Sequence, residues 1–528
     1  MNLTIDFKNL KDSMFIEKST GKVSNPNIIK LNETEIWRRT YGVQFIVNGE
    51  IYASQQVKYD EYVTLPENPT SDGLIFSGWS SDGENVVDLT SYPITQNTEF
   101  TAMFIEANIV VRFNNVATNF TTFNDAVTYA KSLETTSSNF ARITLYETAT
   151  TSTSLSLSSD YIEIDLNNQT LTSSSSVSCS GGCLSVMDES TEKAGKMTFS
   201  YYTISLTSSA QMYLHSGTIG CGEIKIESGS FTMNAGHIKF TGVQAMGVYV
   251  KATSYSSPRF YMNGGSIESS YYGVYLSGYS SSRTAVATIK NATIRDCTNE
   301  AVRVHSYASA TISNSVIQNT ARAFICNAGD TNSATLTVTD TEILNNNFTG
   351  TEGSGGLYIY GSAKAYFTRC VFDGNTSKNY GGAFQIREGS STTLTDCIIR
   401  NSSAKYGGAI SMWGGTITLN NTTITNNNAT GSGGAIYNSS SDYTTINIRN
   451  GTRIENNYLN GANSNILVHA SYTTVNVYST FTGTIGFTHA SGTGTVAKFA
   501  ESTLPTNATY LSDEGYSVST SSSGVVLS

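Results

Sequence analysis

Residues 378–412 read KNYGGAFQIREGSSTTLTDCIIRNSSAKYGGAISM, and the stretch says nearly the same thing twice. NYGGAFQI, ending at Ile386, returns as KYGGAISM, ending at Met412. The same glycine step falls at Gly355-Gly356 and Gly433-Gly434, so successive pairs stand 26 residues apart. An asparagine precedes three of the pairs by six residues: Asn375, Asn401 and Asn427. A period of this size, carried by glycines and short apolar runs, is a solenoid signature. The unit is too short for a pair of helices, and its Thr, Ser, Ile, Tyr and Asn suit short strands joined by tight turns. The expected class is all-β: a parallel β-helix of about 26-residue coils, with a small N-terminal β-rich domain and a capping helix.

Alternation after each glycine pair predicts which side chains point inward. With period two, Tyr358, Phe384, Ile410 and Ile436 form one inner ladder, and Tyr360, Ile386, Met412 and Asn438 the next. Gln385, Ser411 and Tyr437, then Arg387, Trp413 and Ser439, fall on the opposite face. The glycine pairs mark corners that need positive φ or a close backbone approach. Asparagine at another corner tolerates the left-handed conformation and can bond its neighbours' backbones in a ladder.

The pairing of GGA-[IF] with [FIL]-x-x-N (Phe372 to Asn375, Ile398 to Asn401, Ile424 to Asn427) resembles the polymorphic outer-membrane-protein repeat. That resemblance implies a right-handed parallel β-helix on a surface. MNAGHI at 233–238 and MNGGSI at 262–267 resemble glycine-rich coils of bacterial surface adhesins with a pectate-lyase-like fold. Together these place the β-helix over 151–490, on the order of a dozen coils at about 4.8 Å each.

Three regions precede it. Residues 1–40 form an N-terminal attachment or linker segment ending in LNETEIWRRTY. Residues 41–107 resemble the small β-rich repeat of internalin-type surface proteins, on Val57, Tyr59, Leu65-Pro66, Pro69, Phe76, Gly78-Trp79, Ile94 and Phe104. Asn48-Gly49 between two alternating runs predicts a hairpin, with Trp79 anchoring the core. Residues 108–150 form an N-terminal cap containing a helix over 120–133, where Phe123, Ala126, Val127 and Ala130 recur at helical spacing. In YIEIDL, Ile162, Ile164 and Leu166 point inward, leaving Glu163 and Asp165 toward solvent. Residues 491–528 lose the glycine step and form a C-terminal cap.

Composition narrows the function. Net charge is −10, and only 14% of residues are charged. No Lys/Arg run offers the clustered cations that a nucleic-acid backbone requires. No window reaches the 18 or more apolar residues of a membrane span, so no membrane insertion is expected. The start, MNLTIDFKNLKDSMFIEKST, does not read as a secretory signal, and neither a sorting signal nor a membrane barrel is expected from the residues after the coils. The seven cysteines, an odd number, do not indicate a disulfide framework. Cys370 and Cys397 read as stacked buried thiols. Cys179-x3-Cys183 lacks a second pair or a histidine to complete a zinc site. No metal and no cofactor are expected.

Three functional readings follow, in order. The first is a phage virion appendage, such as a tail or head fibre, binding bacterial surface polysaccharide. It rests on an adhesin-like architecture without export machinery and on an N-terminal plan resembling appendage proteins of phages. The resemblance implies other virion proteins as partners of the N-terminal region, and a homotrimer, although no heptad demands one. The second is a cellular surface adhesin, at the cell surface or extracellular. The third is a polysaccharide lyase or hydrolase, for which Glu163 with Asp165, Glu223 with Glu227 and Asp373 near Glu388 are the paired carboxylates that glycoside hydrolysis would need. The expected ligand site is a strip of Tyr380, Arg387, Tyr406, Trp413 and Tyr437. Its rings suit sugar faces while their polar edges still form hydrogen bonds, and Arg387 is expected to stack on Trp413. No catalytic residue is assigned.

Overall fold

Runs such as FQIR and ISMW place an apolar residue at every second position, and each forms a strand that lies in register on the coil before it. Phe384 aligns with Ile410, Ile386 with Met412 and Arg387 with Trp413. Repeated along the chain, this builds a parallel β-solenoid of about 14 turns. The computed structural model describes residues 15–16, 23–24, 27–31, 34–71, 74–106, 108–242, 244–269, 271–329, 332–469 and 471–528. The expected attachment segment, 1–40, lies largely outside them. Strand accounts for 54% of the described residues. The chain divides into two compact units, Met1–Val110 with Val116–Thr122, and Val111–Asn115 with Phe123–Ser528.

The first unit holds a five-stranded sheet. Thr40–Val47 and Glu50–Lys58 form its hairpin. Asn48 and Gly49 turn at φ 49° and 83°, the left-handed pair that a two-residue hairpin requires. Trp79 is buried with Phe45 and Phe100. Its ring lies 4.8 Å from Phe45 and 5.3 Å from Phe76, within the range of favourable edge-to-face packing.

In the second unit the helix Phe123–Ser132 buries Phe123, Ala126 and Ala130. They pack on Ala141–Leu145 and Ala149–Thr151, whose apolar inner side would otherwise meet water. Each coil then contributes strands to the solenoid's faces. One face runs from Ala141–Leu145 to Thr473–Val477 and continues into Gly494–Phe499. There Gly524–Leu527 adds antiparallel and ends the parallel order. Coil length is not constant. On this face the step from Met212 to Phe231 takes 19 residues and the next, to Phe260, takes 29.

That drift corrects the expected register. Leu357, not Tyr358, stacks on Phe384, and Ile359, not Tyr360, stacks on Ile386. Leu357 and Ile359 are fully buried, whereas both tyrosines are partly exposed. The Gly355 amide donates to the Gly382 carbonyl, and Gly382 to Gly408. The first glycine pair therefore sits one residue out of step, and a one-residue slip moves every side chain to the other face.

The same slip affects the asparagines. A fully buried ladder contains Asn346, Asn375, Asn427 and Asn457, with Ser402, not Asn401, between the second and third. Nδ2 of Asn346 donates to Oδ1 of Asn375 at 2.8 Å, and Nδ2 of Asn427 to Asn457 at 2.9 Å. Asn401 stands beside the ladder at φ 54°, alongside Asn345, Gly374, Asn426 and Asn456, which also turn through positive φ. Accordingly Ile399, not Ile398, is the buried residue of that rung. The ladder ends on Asp513, whose carboxylate accepts from the Asn465 amide and side chain at 2.7 and 2.6 Å.

Candidate functional site

Two of the four glycine pairs follow a tyrosine, Tyr380 and Tyr406, and the first glycine of each turns the chain sharply. Gly381 and Gly407 take φ 51° and 67°. A Cβ there would strike the carbonyl oxygen of Phe384 or Ile410 respectively. Those tight corners bring Tyr380 and Tyr406 together as a bridge pair, their rings stacked at 5.7 Å. Tyr380 meets Trp413 edge-on at 5.2 Å, and Tyr406 meets Tyr437 at 5.1 Å. Four of the five expected site residues thus form one aromatic cluster, each ring partly exposed.

Arg387 departs from expectation. It shares a register position with Trp413 but does not stack on it. Its guanidinium turns to the preceding coil, where it pairs with Glu352 at 3.0 Å and reaches the Tyr358 hydroxyl at 3.5 Å. An opposite charge holds a guanidinium more strongly than an exposed ring face, because the indole offers only a quadrupole.

The outer face expected to carry Gln385 and Ser411 is covered. Gln385 is 1% exposed and Ser411 0%. Gln385 Oε1, Ser411 Oγ and Trp413 Nε1 are buried without a protein hydrogen-bond partner. The patch therefore combines rings at the surface with unused donors and acceptors, which cost free energy if left unpaired.

The cluster is one end of a longer strip on the same face. Tyr249 aligns with Tyr275, Tyr275 with Arg303, and Ile325 with Tyr358. Tyr249 and Tyr275 stack at 5.0 Å. The Arg303 guanidinium lies 5.3 Å from the Tyr275 ring and 5.8 Å from Tyr272. Farther along, Arg322 lies 4.0 Å from the Phe348 ring. Sequence reading missed this half because it lacks the Tyr-Gly-Gly-Ala step. A signal was present: Gly247-Val248-Tyr249-Val250 returns 26 residues later as Gly273-Val274-Tyr275-Leu276.

The strip's anchor is a buried ion pair. Glu300 and Arg322 are 2% and 4% exposed and lie 2.7 Å apart. Burial pushes the Glu300 carboxyl above the usual carboxylate range, and burial likewise lowers Arg322.

The carboxylates weighed for catalysis are largely committed to cations. Asp165, expected in solvent, is 4% exposed. Arg142 holds it at 2.9 Å and Glu163 at 3.7 Å. Arg142 and Asp165 line a polar recess of about 360 Å³ with Arg112, Tyr146 and Glu189. Lys225 pairs with Glu227 at 2.8 Å, and Arg400 with Asp373 at 2.7 Å. Cys370 and Cys397 are both buried and free. The Cys370 thiol is pushed far above its ordinary range by its hydrogen bond with Cys397 and by burial. Among the described residues, no group of three His, Cys, Asp or Glu side chains is placed to hold a metal. No helix there is long and apolar enough to cross a membrane.

Two family profiles match parts of the chain. The Listeria-Bacteroides repeat domain matches residues 41–103, the unit built around Trp79. The Chlamydia polymorphic membrane protein repeat matches residues 421–439, the coil that holds Asn427, Gly433-Gly434 and Tyr437. No curated protein matches the sequence.

Proposed function

We propose that the chain is an adhesin-like surface protein that binds a bacterial surface glycan, and that it serves as an appendage of a phage virion. The partly exposed ring cluster of Tyr380, Tyr406, Trp413 and Tyr437 carries the glycan reading. A pyranose has apolar faces that lie on aromatic rings, and its rim of hydroxyls can bond the tyrosine hydroxyls beside them. The solenoid supplies a stiff scaffold, so little ordering cost falls on the protein when the ligand lands.

Trp413→Ala combined with Tyr406→Ala is expected to leave the melting temperature within a few degrees and to weaken attachment to host cells or purified surface polysaccharide. Wild-type attachment in that variant would rule the patch out. A cellular adhesin is the second reading, favoured by the polymorphic membrane protein repeat at 421–439. Antibody against the chain separates the two settings in electron micrographs: decorated virions support the appendage, and decorated cells support the adhesin.

A further inference from the structure

We propose that the ligand is a neutral linear polysaccharide lying parallel to the solenoid axis, along the whole strip from Tyr249 to Tyr437. This rests on the glycan reading above and says which glycan and in which direction. The first observation is continuity. Successive strands carry Tyr249, Tyr275 and Arg303 in one row. That row continues through the buried Ile325, Tyr358, and the buried Gln385 and Ser411 to Tyr437, with Tyr380 and Tyr406 supplying the surface rings at that end. Seven strand steps at about 4.8 Å give roughly 34 Å of platform. That is the length of a chain of about seven sugars, one for each step.

The second observation is charge. The chain as a whole is at −10, and the strip's arginines are matched by carboxylates within the strip, leaving Lys405, 5.0 Å from the Tyr406 ring, as its single cation with no ion pair among the described residues. Arg303 and Arg322 share Glu300 at 3.7 and 2.7 Å, and Arg387 faces Glu352 at 3.0 Å. Lys225, one strand before Tyr249, pairs with Glu227 at 2.8 Å. A polyanion would have to displace those internal partners and would gain only the single charge of Lys405 in return. A neutral polymer needs only ring faces and hydrogen bonds, which are what the strip presents.

The test uses the full chain and oligosaccharide ladders of glucose, mannose and galactose from disaccharide to octasaccharide, with polygalacturonate as the charged counterpart, measured by calorimetry. Affinity for at least one neutral ladder is expected to rise with length through the octasaccharide. Tyr249→Ala with Tyr275→Ala is expected to weaken octasaccharide binding roughly tenfold, as is Trp413→Ala with Tyr406→Ala. Tyr249→Phe with Tyr275→Phe keeps the rings and is expected to restore binding, which separates ring contact from misfolding.

Tighter binding of polygalacturonate than of every neutral ladder, or no neutral ladder bound, overturns the proposal. So does a disaccharide that binds as tightly as its octasaccharide. Loss of binding with Trp413 and Tyr406 but not with Tyr249 and Tyr275 confines the site to one end; the axial chain then fails while the glycan reading stands. Wild-type binding without Trp413 and Tyr406 overturns both.

Discussion

A single residue decides the inner face of a coil. Phe384 is fully buried between Leu357 and Ile410, so Phe384→Asp would leave a carboxyl group, driven to its neutral form by burial, in the stack with no partner. The expected cost is ~2–7 kcal/mol, seen as a lower denaturant midpoint. An unchanged midpoint would contradict the register. Gly407 acts by what it lacks. Its φ of 67° penalises any Cβ by about 1–2 kcal/mol, and the Ile410 carbonyl blocks the space as well. Gly407→Ala is expected to lower stability and to shift the Tyr406 ring, read as a change in near-ultraviolet circular dichroism. At the thiols, Cys370 and Cys397 are each 1% exposed. Both are expected to resist a bulky maleimide in the native protein and to react after denaturation; rapid native labelling would contradict their burial.

At the level of elements, much of the coil could be read from the sequence, and the failures share a cause. Spacing by glycine pairs found the corners, and alternation placed Phe384, Ile410 and Met412 inside. It misplaced Tyr358 and Asn401 because coils differ in length by a residue or more, and the extra residues sit in corners where no periodicity registers them. Asp165 and Ser411 point away from the core as alternation demands, but an arginine covers the first and a ring cluster the second. Period two reports direction and is silent about what neighbouring coils lay over a side chain.

The buried Glu300–Arg322 pair was invisible for the same reason, since 22 residues separate its members and no motif joins them. Removing either charge alone is expected to cost about 3–5 kcal/mol, because Arg322 then stays buried without a carboxylate, or Glu300 stays buried with only the looser contact to Arg303 at 3.7 Å. Replacing both, as Glu300→Leu with Arg322→Met, is expected to be near neutral or stabilising in thermal denaturation. A double variant no more stable than either single one would show that the pair holds the strip by more than mutual neutralisation.

Across the whole solenoid, stability is a sum over neighbours, so the ends matter out of proportion to their size. Asp513 terminates the asparagine ladder by accepting two hydrogen bonds from Asn465 and one from Thr488 at 3.0 Å. Asp513→Ala is expected to leave those donors without a partner, at about 1–3 kcal/mol. The loss is expected first as faster amide exchange in the last coils, with protection of strands near Phe231 unchanged. Uniform loss along the chain would mean that the coils melt as one block.

The backbone hydrogen bonds that join one coil to the next all run along the solenoid axis, while the covalent chain passes between coils once per turn. A load spread evenly along that axis is therefore shared by every inter-coil bond of a turn at the same moment. A load on one end of the chain meets those bonds one after another, as tape peels from a roll. In a pulling experiment from the C terminus, release is expected in discrete steps, one coil each. Coils of 19 and 29 residues would lengthen the tether by about 60–105 Å, with the unequal coil lengths appearing directly as unequal steps.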